Sequence, residues 1–365
     1  MTKYSYLLTA SILFLFAIGL VMVFNTTSAE FMDKGMYGRT HQALYKQILY
    51  SCMGASMGFI LFMLGRDRFI KLIPFLFYAC AISLALVFVP GIGQQINGAK
   101  RWIGFAGFSL QPSEFAKYIF PFYFIYQISK MQEVTLKKFL RLIGIIGVPL
   151  TLILIEPDNG TTAIILFTMM ILFILTRIKW LYWTLPLAFV VVCGGIAAYN
   201  MPHVPDRIRV YLHPETDLQG KGHQPYQAKI AAGSGGLWGR GLGESLQKMN
   251  YLPEARSDYI AAIYAEEMGF FGIGVLILTY MIIAFSGFQI ASHSKDHLGF
   301  YMAAVITFLI TFQAFLNLGV VSNLLPSKGT TLPFISQGGS SLIANTMAFF
   351  LLLSMAAEPE KKRAL

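Results

Sequence analysis

The chain has 365 residues, of which 56% are hydrophobic, 15% aromatic and only 13% charged, against roughly 25% charged in ordinary soluble domains. That balance excludes a soluble globular protein and a disordered one. The net charge of +10 would point to nucleic acid in a soluble chain, but basic residues on the inner side of a membrane and around an outer cavity account for it, so no nucleic-acid partner is expected.

Apolar runs of about 17 to 25 residues are long enough to cross a bilayer as helices. In chain order they are predicted at residues 6–24, 47–64, 69–89, 115–128, 140–155, 161–175, 180–199, 259–285, 298–318 and 340–356. This describes an all-α polytopic membrane protein of about ten transmembrane helices, a single integral membrane domain over 1–365 with both ends on one side. A large extracytoplasmic loop, 200–258, joins helices seven and eight and has too little apolar periodicity for a core of its own. The first run is longer than a signal-peptide core and is expected to be retained as an anchor. Cys52, Cys80 and Cys193 fall in apolar runs without metal or disulfide spacing and read as small core residues.

Short inner loops accumulate lysine and arginine. With the amino terminus inside, each side carries 14 basic residues, but seven of the outer ones lie in the long loop, whose charge influences topology weakly. Both termini are therefore expected to be cytoplasmic.

Four outer segments interrupt the apolar pattern, and irregular backbone at membrane level survives only where protein or a wet cavity covers it. The first, 97–117, carries Lys100, Arg101 and Trp102, then the helix-entry signal Gln111-Pro112-Ser113-Glu114 and Lys117. Ser113 reads as a helix cap and Glu114 suits a positive helix end, but neither role explains Lys100, Arg101 or Lys117. The second, Glu-Pro-Asp-Asn-Gly-Thr-Thr from Glu156, is either a tight turn capped by Asp158 or part of a site. The third is the glycine-rich stretch 233–243 with Arg240, read as close backbone approach to a ligand and lacking phosphate-loop spacing. The long loop then ends in Asp258, at the start of an apolar helix that also contains Glu266 and Glu267. Ionisable groups in such a helix are functional suspects. The fourth segment, 325–341, carries Lys328 and a Gly-Gly-Ser-Ser run, each with a bland reading as a solvated lysine and close helix packing.

The motifs NGAKRWI, QPSEFAK, EPDNGTT, GSGGLWGRGLGESLQKMNYLPEARSDYI, AEEMG and LPSKGTTLPFISQGGSS, in that order, resemble the SEDS family (shape, elongation, division and sporulation) of bacterial peptidoglycan glycosyltransferases over nearly the whole chain. Its division-type and sporulation members look closer than its elongation-type ones, because of SLQKMNYLPEA and Lys328. The departures are small. Arg256-Ser257-Asp258-Tyr259 stands where His-Thr-Asp-Phe is common, Asn159 where leucine is usual, and Gln337 where tyrosine is usual.

The resemblance implies polymerisation of lipid II, a disaccharide-peptide on undecaprenyl pyrophosphate, at the outer face of the bacterial cytoplasmic membrane. A β-1,4 bond made from an α-linked donor requires inversion, so one base takes the proton of the acceptor 4-hydroxyl while pyrophosphate leaves from the opposite face. Asp258 is the expected base. Arg101, Lys117 and Lys328, with Lys100 and Arg240, are expected to bind the pyrophosphate, and Trp102, Glu114 and Asp158 to support the site. A divalent cation, magnesium or manganese, held by Asp258, Glu114 or Asp158, would share that role. Glu266 and Glu267 lie about 12 Å down the helix and read as polar packing against Gln313 or Asn317, or as site support. The implied partners are a class B penicillin-binding protein transpeptidase and the division or elongation machinery. A lipid II flippase and a non-catalytic scaffold are the alternatives; a flippase needs a polar path to both faces, whereas the charged irregular segments crowd one side.

Overall fold

A computed structural model of the chain describes residues 3–33, 41–96, 99–105, 108–188, 211–212, 222–248, 252, 255–326 and 329–357. Its helices are α1 (Lys3–Asp33), α2 (His41–Leu64), α3 (Arg66–Leu86), α4 (Pro112–Ser129), α5 (Leu136–Ile155), α6 (Asn159–Leu175), α7 (180–188), α8 (His223–Ser234), α9 (Ile260–Ser292), α10 (His297–Val321) and α11 (Gly339–Ala357). Seven of them, α1, α2, α3, α5, α9, α10 and α11, are long and apolar enough to cross a membrane. The three other expected spans are also helical where described; α4 and α6 have 18 and 17 residues, and of the expected span 180–199 only 180–188 are described.

One segment departs from an all-helical reading. Before α4, three short strands, β1 (Gly93–Ile96), β2 (Ala99–Phe105) and β3 (Phe108–Leu110), form an antiparallel sheet, with Gln94 opposite Trp102 and Ile103 opposite Leu110. Ladder pairing satisfies the backbone there, and Lys100, Arg101 and Trp102 ride on its central strand.

Burial separates interior helices from peripheral ones. Helix α3 buries one stripe, Phe69, Ile73, Phe77, Cys80 and Leu84, at helical spacing. It faces α4, where Phe77 and Tyr123 stack with ring centroids 3.9 Å apart. Helices α4, α10 and α11 bury residues all round and form the centre. Gly54 and Gly58 of α2 let α11 approach closely, since a methyl group on either would press on Ile343 or Phe350. At one end of the bundle Arg66 Nη1 lies 2.8 Å from Asp296 Oδ1, tying the start of α3 to the capping residue of α10. Asp258 lies at the other end of α9.

Helix α9 is two helices in one. Gly269 has φ 68° and ψ −165°, so the first half, 260–268, ends there before the second begins.

Candidate active site

Asp258 stands half-buried just before α9. Its backbone carbonyl accepts a 2.8 Å hydrogen bond from Asn317 Nδ2 of α10, and the same amide donates to Thr330 O at 2.6 Å. The Asp258 carboxylate lies against Gly329: a Cβ on that glycine would sit 3.0 Å from Oδ2. On the far side of the same strand of chain, a Cβ on Gly160 would be 3.4 Å from Thr330 Cγ2 and 3.9 Å from Asp158 Oδ1. The second and fourth outer segments and the end of the long loop thus converge around residues 329–331.

Lys117 joins them from α4. It is buried, with Nζ 2.7 Å from Glu114 Oε2 and 2.8 Å from Gln313 Oε1. Gln313 Nε2 in turn donates to Thr331 O at 2.9 Å, and Thr331 Oγ1 lies 2.9 Å from Ser341 Oγ. An ammonium has three N–H donors, and these two partners take two of them.

Asp158 caps α6, accepting from Thr161 N at 3.2 Å, as the turn reading anticipates. It does more: Oδ2 also accepts from Ser113 Oγ at 3.0 Å and Gln111 Nε2 at 3.1 Å. Ser113 is therefore not the helix cap expected of it. Gln111 holds the N-cap position, Pro112 follows it, and the Ser113 hydroxyl faces Asp158. Arg101 donates to the backbone carbonyls of Glu156, at 2.9 Å, and Pro157, at 2.7 Å, so part of its guanidinium clamps this turn. Glu156 is buried, and neither carboxyl oxygen has a hydrogen-bond partner among the described residues. Burial foremost, then the neighbouring Asp158, pushes its pKa up to about 8, against the opposing pull of Arg101. Lys100 is exposed and Trp102 half-buried on β2. Lys328 lies outside the described residues.

Glu266 and Glu267 do not pair with Gln313 or Asn317. Glu266 Oε2 accepts from Ser245 Oγ at 2.6 Å and Gln247 N at 3.3 Å, and its Oε1 accepts from Leu246 N at 3.2 Å. Glu267 Oε1 lies 3.0 Å from Lys248 Nζ and accepts from Asn25 Nδ2 of α1 at 2.8 Å. Arg240, expected at the pyrophosphate, has Nε 3.5 Å from Glu266 Oε1 and belongs to this cluster.

The glycine-rich stretch approaches protein rather than ligand. Arg240 N and Gly241 N donate to the Glu266 and Glu267 carbonyls at 3.0 Å each, and Phe270 N donates to Gly236 O at 2.9 Å. A methyl group on Gly235, Gly239 or Gly269 would overlap the opposing backbone. The stretch therefore supplies the backbone partners that α9 loses at Gly269, as membrane-level chain requires.

Asp258, Glu114 or Asp158 was expected to help hold a divalent cation, and two of these carboxylates are engaged by protein groups. Glu114 is paired with Lys117 and Asp158 already accepts three hydrogen bonds. No group of three His, Cys, Asp or Glu side chains with metal-ligand geometry occurs among the described residues.

Sequence reasoning gave no site role to Lys248, Ser245 or Asn25, and read Gln111 only as part of a helix-entry signal. Asn25 carried a signal, as a polar amide in an apolar run. Lys248 and Ser245 sit in a polar loop where nothing distinguishes a buried residue from a solvated one.

A family model described as cell cycle protein, FtsW/RodA/SpoVE, matches residues 5–361. The chain is 36% identical to the probable peptidoglycan glycosyltransferase FtsW of Trichlorobacter lovleyi, covering 98% of this chain and 94% of that protein. It is 33% identical to the stage V sporulation protein E of Bacillus subtilis, covering 96% of each. Among solved structures it resembles a chain of a peptidoglycan synthase complex that coordinates polymerization and crosslinking (24% identity, 93% and 96% covered, TM-score 0.73). It also resembles the rod shape determining protein RodA of Thermus thermophilus (24% identity, 96% and 95% covered, TM-score 0.66). These two likenesses show the fold, a multi-pass membrane bundle. The match over nearly the whole chain and the relatives above 30% identity make this chain a member of the FtsW/RodA/SpoVE family.

Proposed function

We propose that this protein is a peptidoglycan glycosyltransferase that polymerises lipid II at the outer face of the cytoplasmic membrane, with Asp258 as general base. The observation that carries the reading is the meeting of a half-buried carboxylate and a buried lysine on one short segment. Asp258 packs on Gly329, and Lys117 reaches Thr331 through Gln313. An acceptor hydroxyl beside Asp258 loses its proton to the carboxylate as its oxygen bonds to the anomeric carbon, and the carbon–oxygen bond to pyrophosphate breaks on the opposite face. Lys117, with a third N–H beyond its two partners, suits the departing anion, and Lys328 and Lys100 come from segments of the same side. Arg101 positions the Glu156–Asp158 turn in addition to any contact with substrate.

The basic-residue count supports cytoplasmic termini and an outward site. The solved synthase complex, which coordinates polymerization and crosslinking, supports a class B transpeptidase as partner, within division machinery.

One observation favours a transporter instead, the break in α9, since interrupted helices mark substrate paths in transporters. The hydrogen-bonding groups at that break are filled by residues 235–241, which argues against a path there. The two readings separate on purified protein with its transpeptidase and lipid II: glycan strands support the enzyme, whereas lipid II crossing liposomes without polymer overturns it.

A further inference from the structure

Outside the site, the structure holds a second buried ionic cluster, which the chemistry above leaves unused. Lys248 is its centre: Nζ lies 3.0 Å from Glu267 Oε1 on α9 and 2.7 Å from Asn25 Oδ1 on α1, and it also donates to Gly243 O in the loop. All three ammonium donors are used, one on each of three elements. Asn25 closes the triangle by donating to Glu267 Oε2 at 2.6 Å.

The half-helix 260–268 spans about 13 Å and begins two residues after Asp258. At that end it is held by the Asn317 bond to the Asp258 carbonyl. At the other end Gly269 breaks the helix, so the rest of α9 does not dictate its rotation. Adjacent residues on a helix point about 100° apart, so fixing both Glu266 and Glu267 fixes the rotation of the whole half-helix. The contacts of Glu266 with Ser245, Leu246 and Gln247 are enough to anchor the loop. Asn25, which donates to both Glu267 oxygens and accepts from Lys248, adds α1, and Lys248 clamps that pair, so that the cluster sets the half-helix against the bundle.

We propose that Lys248 is a positioning residue: by tying Glu267 to α1 it holds the half-helix in the rotation that presents Asp258 to Gly329 and the Lys117 group. The proposal rests on the reading of Asp258 as base, but its geometry is testable without turnover.

The test uses the full-length protein with Cys52, Cys80 and Cys193 replaced by serine and Asp258→Cys introduced. The rate of labelling by a charged methanethiosulfonate is compared with and without Lys248→Met. In parallel, Lys248→Met and Lys248→Arg with Asp258 intact are assayed for polymerisation of lipid II. The expected result is a several-fold change in labelling rate. With it, kcat falls between tenfold and about 100-fold, the scale of a 1 Å misplacement, while KM changes little and Lys248→Arg retains most of the rate. If Lys248→Met does not fold, Lys248→Met/Glu267→Gln, which leaves no lone buried charge, takes its place with the same readouts. Unchanged labelling, or unchanged kcat, in a folded variant overturns the proposal. If the wild type makes no polymer, the proposed function fails and labelling alone decides the positioning role.

Discussion

Among the described residues two lysines are buried in the same company, a carboxylate and an amide, and they differ in what is left over. Lys117 has two hydrogen-bond partners among the described residues, and its carboxylate partner Glu114 keeps 12% of its side-chain surface exposed. Lys248 has three partners, and Glu267 keeps none. A buried charge with every donor used can only hold structure; one with capacity to spare, beside a half-exposed aspartate, can receive a charged ligand. The difference teaches that saturation, rather than charge or burial alone, separates site from scaffold here.

The largest effect is expected at the unsaturated lysine. Lys117→Met should lower kcat/KM for lipid II polymerisation by about 100-fold or more, while Lys117→Arg, with a planar fork in place of a point charge, should not restore it. Comparable rates for wild type and Lys117→Met would erase the contrast. In the saturated cluster the first casualty should be stability. Glu266→Ala strands the Ser245 hydroxyl, two backbone N–H groups and part of the Arg240 charge, and should cost about 3 kcal/mol, read as a lower melting temperature in detergent. Gly269→Ala should cost about 1 to 3 kcal/mol, because alanine resists a φ of 68° and its methyl meets the 237–239 backbone.

The smallest effect concerns pH. Glu156 has a folded pKa of about 8 against an ordinary value of 4.5, so the folded state binds the extra proton between those values. Stability is then full below about 4.5 and declines as pH rises through 8. Glu156→Gln, always neutral, should flatten the dependence of melting temperature on pH over that window. A wild type whose stability rises from pH 5 to 8 would contradict the assignment.

Helix positions were legible because a bilayer demands long apolar runs, and residues 47–64, 140–155, 161–175 and 298–318 fall within described helices whose ends lie no more than six residues away. The sheet at 93–110 was not, although Asn97-Gly98 is a strong hairpin dipeptide; its strands are too short to show alternation among glycines and charges. The acidic and basic residues of the outer segments were legible as a group, since charge stands out in an apolar chain. Their division into two clusters was not. Glu266 and Arg240, 26 positions apart, meet only because the glycines at 235, 239 and 269 let two backbones touch. Pairing of that kind depends on backbone approach, which side-chain chemistry does not encode.

The central claim is that Asp258 removes the acceptor proton, and the most direct measurement compares wild type with Asp258→Asn in glycan polymerisation from purified lipid II, each folded and bound to its transpeptidase. Asparagine keeps the shape and the backbone bond to Asn317 but cannot take the proton. The account predicts a loss of about 100-fold or more with lipid II binding retained. Equal polymer from both proteins would contradict it.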